Sequence, residues 1–189
     1  MRREFLRLIG MADHFAVLGI PRAAWVDAEE LKTRFHKLSA ARHPDAAGGD
    51  GAAFTELNAA WQTLRDPAGC LRHFLELEHP DALASAGQTP AELADLFMDI
   101  AAFRQAAQKF GAKYSATTSP LTKAVLEAER ITLHSRLATL AANVEARTTH
   151  GVTTLRNVGT QPDQLATLHA SLVFLAKWTT QLAELRLGL

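Results

Sequence analysis

Cysteine is almost missing from the chain. Cys70 is the only one among 189 residues, which excludes an intrachain disulfide and any zinc or iron–sulfur site built from several cysteines of this chain. An excess of one charge is missing too: twenty Lys plus Arg meet twenty Asp plus Glu. That balance argues against nucleic-acid binding through bulk charge and leaves room for a local basic patch. No apolar run approaches the ~20 residues of a membrane helix, so no membrane segment is expected. Alternating valine-rich runs are lacking, and so are internal repeats. Gly48-Gly49-Asp50-Gly51 lacks the strand and the Lys of a phosphate-binding loop, and no H-E-x-x-H spacing marks a metal site. The opening MRREFLRLIG is too short and too interrupted for a signal peptide, and Met11 offers an alternative start. These absences together set the expectation of a cytoplasmic protein.

What is present is Ala and Leu at helical spacing, which predicts an all-α fold. Asp13 caps a short helix carrying Phe15 and Leu18, closed by Gly19 and Pro21. Asp27 opens a stronger one, with Glu30 three residues on and Leu31, Phe35 and Leu38 as its apolar stripe. Pro44 ends it near Arg42. A third helix carries Phe54, Leu57, Trp61 and Leu64 and stops at Asp66-Pro67; Leu71, Phe74, Leu75 and Leu77 predict one more. Residues 78–91, rich in Pro, Gly, Ser and Ala, read as a linker. Three longer helices are predicted beyond it: about 91–110, from Ser119-Pro120 to about 147, and from Pro162 onward. The last has a seam of Leu165, Leu168, Leu172, Leu175, Leu182 and Leu185, spaced three and four apart with one skipped step, which suits a small antiparallel bundle.

Chemistry concentrates at His43-Pro44-Asp45. The helix before it holds Lys32, Arg34, Lys37 and Arg42 between positions 31 and 42, and no acid. A neutral chain thus presents one concentrated basic face, able to steer an acidic partner. Pro44 stiffens the turn, and Asp45 is placed to accept charge-assisted hydrogen bonds from a partner arginine. A second triplet, His79-Pro80-Asp81, has no basic amphipathic helix before it and reads as a turn ending a helix. Four bases on one helix with no second basic patch give too few phosphate contacts for a nucleic-acid binder. An enzyme built on a His/Asp pair finds no nucleophile motif in support.

Two apolar residues lie off their helix stripes. Met98 sits about 140° from Leu93, and Phe174 about 200° from Leu172. Exposed Met and Phe groups point to a binding patch. Trp178, one turn after Phe174, fits either that patch or a covered position.

Residues 11–77, with HFAVLGI, EELKTRFHKLSAARHPD and FTELNAAWQTLRDP, resemble a J-domain, the module by which co-chaperones stimulate ATP hydrolysis by DnaK-type chaperones. With LNAAWQTLRDP and the helical second half, the chain is similar to the bacterial HscB-type co-chaperones of iron–sulfur cluster assembly. The resemblance implies a J-domain (11–77) with a helical-hairpin core after a short extension (1–10), then a linker (78–91) and a three-helix client-binding domain (92–189). It implies no cofactor, no metal and no enzymatic activity of its own. The implied partners are a DnaK/HscA-type chaperone, met by His43, Pro44, Asp45, Lys32, Arg34, Lys37 and Arg42, and the iron–sulfur scaffold protein, met by Phe97, Met98, Ala101 and Phe174. Three departures stand out. Arg42 replaces the usual aromatic residue before the triplet, Ala46 replaces the usual base after it, and Ala102, Gln105 and Lys109 stand where the family carries carboxylates. A J-domain co-chaperone serving a different client is the alternative.

Overall fold

A computed structural model describes residues 12–42, 50–85, 90–157, 159 and 161–189. Among them the order is α1 (His14–Leu18), α2 (Ala28–Arg42), α3 (Gly51–Leu64), α4 (Pro67–Glu78), α5 (Pro80–Ser85), a 3-10 turn (Ala91–Leu93), α6 (Ala94–Ala116), α7 (Pro120–Asn157) and α8 (Pro162–Leu187). No strand occurs among the described residues, so the fold is all-α as the periodicity predicted.

The short helices begin and end where side chains satisfy their free backbone groups. Asp13 accepts the Ala16 N–H, Asp50 the Ala52 N–H and Asp66 the Gly69 N–H, each at a helix N-terminus. Asp27 does the same for α2, accepting the N–H groups of Glu29 and Glu30 at 3.0 Å each. Gly19 closes α1 with φ 65°, a left-handed conformation that suits glycine, and its N–H donates to the Ala16 carbonyl. Pro67 occupies the first turn of α4, where its missing N–H costs nothing.

The chain divides into two compact units. One holds the described part of residues 1–86 together with 155–169. Its buried side chains include Phe15, Leu18, Leu31, Leu57, Ala60, Leu64, Leu71, Phe74 and Leu75, joined by Leu155, Leu165 and Ala166 from the ends of α7 and α8. Arg22 ties this unit across its surface: its guanidinium donates to Asp13 ahead of α1 and to Glu78 at the end of α4. The second unit holds residues 87–154 and 170–189. Its core runs through Leu96, Ile100, Phe103, Ala107 and Phe110 of α6, Leu126, Leu133, Leu137, Leu140 and Val144 of α7, and Leu175, Trp178 and Leu182 of α8.

Four elements differ from the periodicity reading. The stretch 78–91, expected as a linker, holds α5. Helix α6 continues six residues past Phe110, because Tyr114 packs against the core and Lys113 pairs with Glu129 at 2.9 Å. Helix α7 continues ten residues past Arg147, through the poorly helix-forming TTHGVTT. There the hydroxyls of Thr148 and Thr153 donate to carbonyls one turn back, at Val144 and Thr149. The extension carries Leu155 into the core of the first unit and sets the Arg156 guanidinium 4.7 Å from the Trp25 ring centroid. The skipped step in the α8 seam is filled by Trp178, only 4% exposed, so the open question over this residue resolves as core.

Gly69 marks the closest approach at the α3–α4 corner. A Cβ added there would lie 2.6 Å from the Thr63 carbonyl oxygen. Backbone must shift to admit it, so Gly69→Ala is expected to destabilise the protein by about 1–3 kcal/mol, read as a lower urea midpoint with an unchanged m-value.

Candidate functional site

The basic face is built by burying the other side of α2. Leu31 is fully buried, Phe35 stacks on Trp61 of α3 with centroids 4.7 Å apart, and Leu38 is half-buried. A helix seated on that stripe turns its remaining positions to water. Lys32, Arg34 and Lys37 are exposed and Arg42 is half-buried. None of the four forms an ion pair with another described residue, so their charge is free to act on a partner. His43, Pro44 and Asp45 lie outside the described residues, as does Ala46. In the sequence they fall between Arg42, the last residue of α2, and Asp50, the N-cap of α3.

The second triplet is a corner. His79 ends α4 with φ −142° and ψ 57°, its N–H donating to the Leu75 carbonyl, and Pro80 starts α5. His79 also sets its ring edge-on to Phe74. This matches the expectation of a turn ending one helix.

In the second unit, Phe97 is 48% and Met98 65% exposed, while Ala101 is half-buried. Phe174 departs from its expected exposure: it is half-buried and packs against the core. The reason is Trp178, whose ring lies 5.9 Å from Phe174 and 6.4 Å from Phe97, centroid to centroid. The buried indole thus backs two phenyl rings, one from α6 and one from α8, and Met98 stands free beside them. The structure brings Phe97 and Phe174 into one aromatic cluster. Ala102, Gln105 and Lys109 are exposed on α6, so the face carries no carboxylate at those positions.

The periodicity gave no warning of one further feature, the pairing of His14 with His73 in the first unit, whose rings lie 4.5 Å apart. The only trace in the sequence is a histidine between Leu71 and Phe74, on a helix whose inward face is otherwise apolar. Cys70 is buried, and burial pushes its thiol up to about 12, which leaves it inert. Among the described residues no cluster of His, Cys, Asp and Glu is arranged to hold a metal ion, and no helix is long and apolar enough to cross a membrane.

Residues 13–74 match the DnaJ domain family. A chaperone protein DnaJ of Rhizobium rhizogenes is 44% identical over 59 residues, 30% of this chain and 15% of that protein. The DnaJ of Campylobacter hominis is 42% identical over 57 residues, 29% of this chain and 15% of its own. Protein NolC of Rhizobium fredii is 45% identical over 58 residues, 29% of this chain and 14% of NolC. The chain therefore spans about a seventh of the length of these relatives, and the likeness is confined to the J-domain.

The exposures in the aromatic cluster set different costs for its members. Met98→Ala, at a 65% exposed position, is expected to change stability by less than about 0.5 kcal/mol, and Phe97→Ala, half-exposed against the Trp178 ring, by about 0.5–1 kcal/mol. Phe174→Ala removes a ring packed on Trp178 and is expected to cost about 1–3 kcal/mol. Urea unfolding of the three variants checks both.

Proposed function

With residues 13–74 a DnaJ domain, we propose that the chain is a co-chaperone that stimulates the ATPase of a DnaK/HscA-type chaperone and delivers to it the iron–sulfur cluster scaffold protein. The observation that carries this reading is the basic face of α2, with Lys32, Arg34 and Lys37 exposed and without ion pairs among the described residues, which in the sequence leads directly into His43-Pro44-Asp45, inside the stretch that matches the DnaJ domain. Lys32, Arg34, Lys37 and Arg42 steer the acidic docking surface of the chaperone. Asp45 accepts charge-assisted hydrogen bonds from a chaperone arginine, and His43 and Pro44 set the geometry of the turn. Stimulation is a shift among the conformations of the chaperone, so the chain needs no cofactor and makes or breaks no bond.

The client half of the proposal assigns residues 92–189 to scaffold binding through Phe97, Met98, Ala101 and Phe174, joined by residues 78–91 to a J-domain over 11–77. The cluster backed by Trp178 supports it, since exposed apolar groups on a preformed face suit a partner surface of the same kind. Holding client and chaperone at once raises the effective concentration of one at the other. The missing carboxylates at Ala102, Gln105 and Lys109 favour a second reading, a J-domain co-chaperone for a different client. The proposed place of action is the cytoplasm.

The deciding experiment is steady-state ATP hydrolysis by the DnaK/HscA-type chaperone with this protein, with and without purified scaffold. Synergy between the two supports scaffold delivery; stimulation without synergy retains the J-domain function and moves the client elsewhere. Asp45→Asn is expected to abolish stimulation with an unchanged circular dichroism spectrum, while Asp81→Asn leaves it intact. Equal losses in both would reject the choice of the first triplet. Phe97→Ala with Met98→Ala is expected to weaken scaffold binding about 5–30-fold for each truncated side chain, measured by calorimetry.

A further inference from the structure

His14 and His73 meet inside the first unit through an uncommon hydrogen bond. The backbone N–H of His14, at the start of α1, donates to the imidazole Nε2 of His73 on α4 at 3.0 Å. A ring nitrogen that accepts carries no proton, so neutral His73 holds its proton on Nδ1. Nδ1 faces Glu76, whose Oε2 lies 3.8 Å away. The next proton to bind His73 must therefore take Nε2, the very atom that holds α1. Protonation and the His14 hydrogen bond exclude each other.

The surroundings reinforce that exclusion. His73 is 4% exposed and stacks on Phe15, with centroids 5.5 Å apart. The His14 ring lies 4.5 Å from it, so two imidazolium charges would face each other in a largely apolar setting. His14 Nδ1 is buried with no hydrogen-bond partner among the described residues. Several charged groups act on the pair from the elements around it. Asp13 stands next to His14 but is engaged by Arg22, which also holds Glu78. Glu56 acts on His14 from α3. Glu76 acts on both rings and is engaged by Arg72 at 2.7 Å. His169 of α8 senses Arg72, Glu76 and Asp66. The carboxylates favour protonation, yet burial outweighs them: His14 is pushed below its usual 6.5 by burial, and His73 by burial and then by His14.

We propose that the His14–His73 contact is an acid-sensitive latch that fastens α1 to α4 at neutral pH and releases it on acidification. The unfolded chain binds protons at these rings near pH 6.5, the folded chain only at lower pH. Stability from the latch is therefore complete above about pH 7 and is lost as the pH falls from 6.5 through the folded-state pKa values. Each histidine lowers the folded-to-unfolded ratio up to about tenfold per pH unit across that window. His169, lowered by burial and then by Arg72, contributes in the same sense, so the test must single out His73.

The test joins a tautomer assignment with a stability profile, on the full chain. Long-range ¹H–¹⁵N NMR at pH 7.5 is expected to show His73 with Nδ1 protonated and Nε2 bare, and to follow its titration to an apparent pKa below 6.5. Urea midpoints at pH 7.5, 6.5, 5.5 and 5.0 are expected to fall with pH, and His73→Gln, which keeps an acceptor and cannot titrate, is expected to flatten that fall. An Nε2-protonated His73 at neutral pH, or a pKa at or above 6.5, overturns the proposal whether or not the variant folds. An unchanged pH slope in a folded His73→Gln protein overturns it equally.

Discussion

Helix α3 is the element on which the first unit depends. Helices α1, α2 and α4 all pack against it, through Leu57, Ala60 and Leu64, none more than slightly exposed. Ala60 has no exposed surface, and its small side chain lets neighbouring elements come close. Once Trp61 offers its face to Phe35, the rotation of α2 about its own axis is set. The basic residues then point to water because the apolar stripe points to α3. An exposed basic face is in this sense a by-product of core packing: the same burial that stabilises the hairpin decides which way Lys32, Arg34 and Lys37 project.

Burial also sets the character of the exposed aromatic face in the second unit. Trp178 takes the position that a leucine would hold in a regular seam, and its size carries it out to touch rings on two helices. A large indole buried at a bundle seam supports Phe97 and Phe174 from beneath, so the face is stiff, with Met98 as its adaptable part. Stiff aromatic groups lose little conformational freedom on binding, which makes such a cluster well suited to hold another protein.

The first unit mixes two kinds of fastening for its short N-terminal helix. Phe15 and Leu18 contribute burial that is indifferent to pH, while the Arg22 bridge to Asp13 and Glu78 contributes charge. Burial alone would raise the Asp13 carboxyl, but hydrogen bonds from Arg22 and the Ala16 N–H outweigh it and hold its pKa below 3.8. A five-residue helix has little intrinsic stability, so its place depends wholly on such tertiary contacts.

Local signals were legible wherever a few adjacent residues decide the outcome. Asp13 and Asp27 cap their helices through contacts within three residues, and the stripe of Leu31, Phe35 and Leu38 follows from helical geometry. The all-α class, the basic face of α2 and the exposure of Met98 are of this kind. The tertiary structure alone decided how far α6 and α7 run, because Tyr114, Leu155 and Arg156 are held by partners distant in sequence. It alone buried Trp178, half-covered Phe174 and set His14 against His73, 59 residues apart. Caps and stripes are written at spacings of three and four, where the helix itself makes residues neighbours. Ring contacts between helices depend on how those helices pack, and that geometry exists only once the chain has folded.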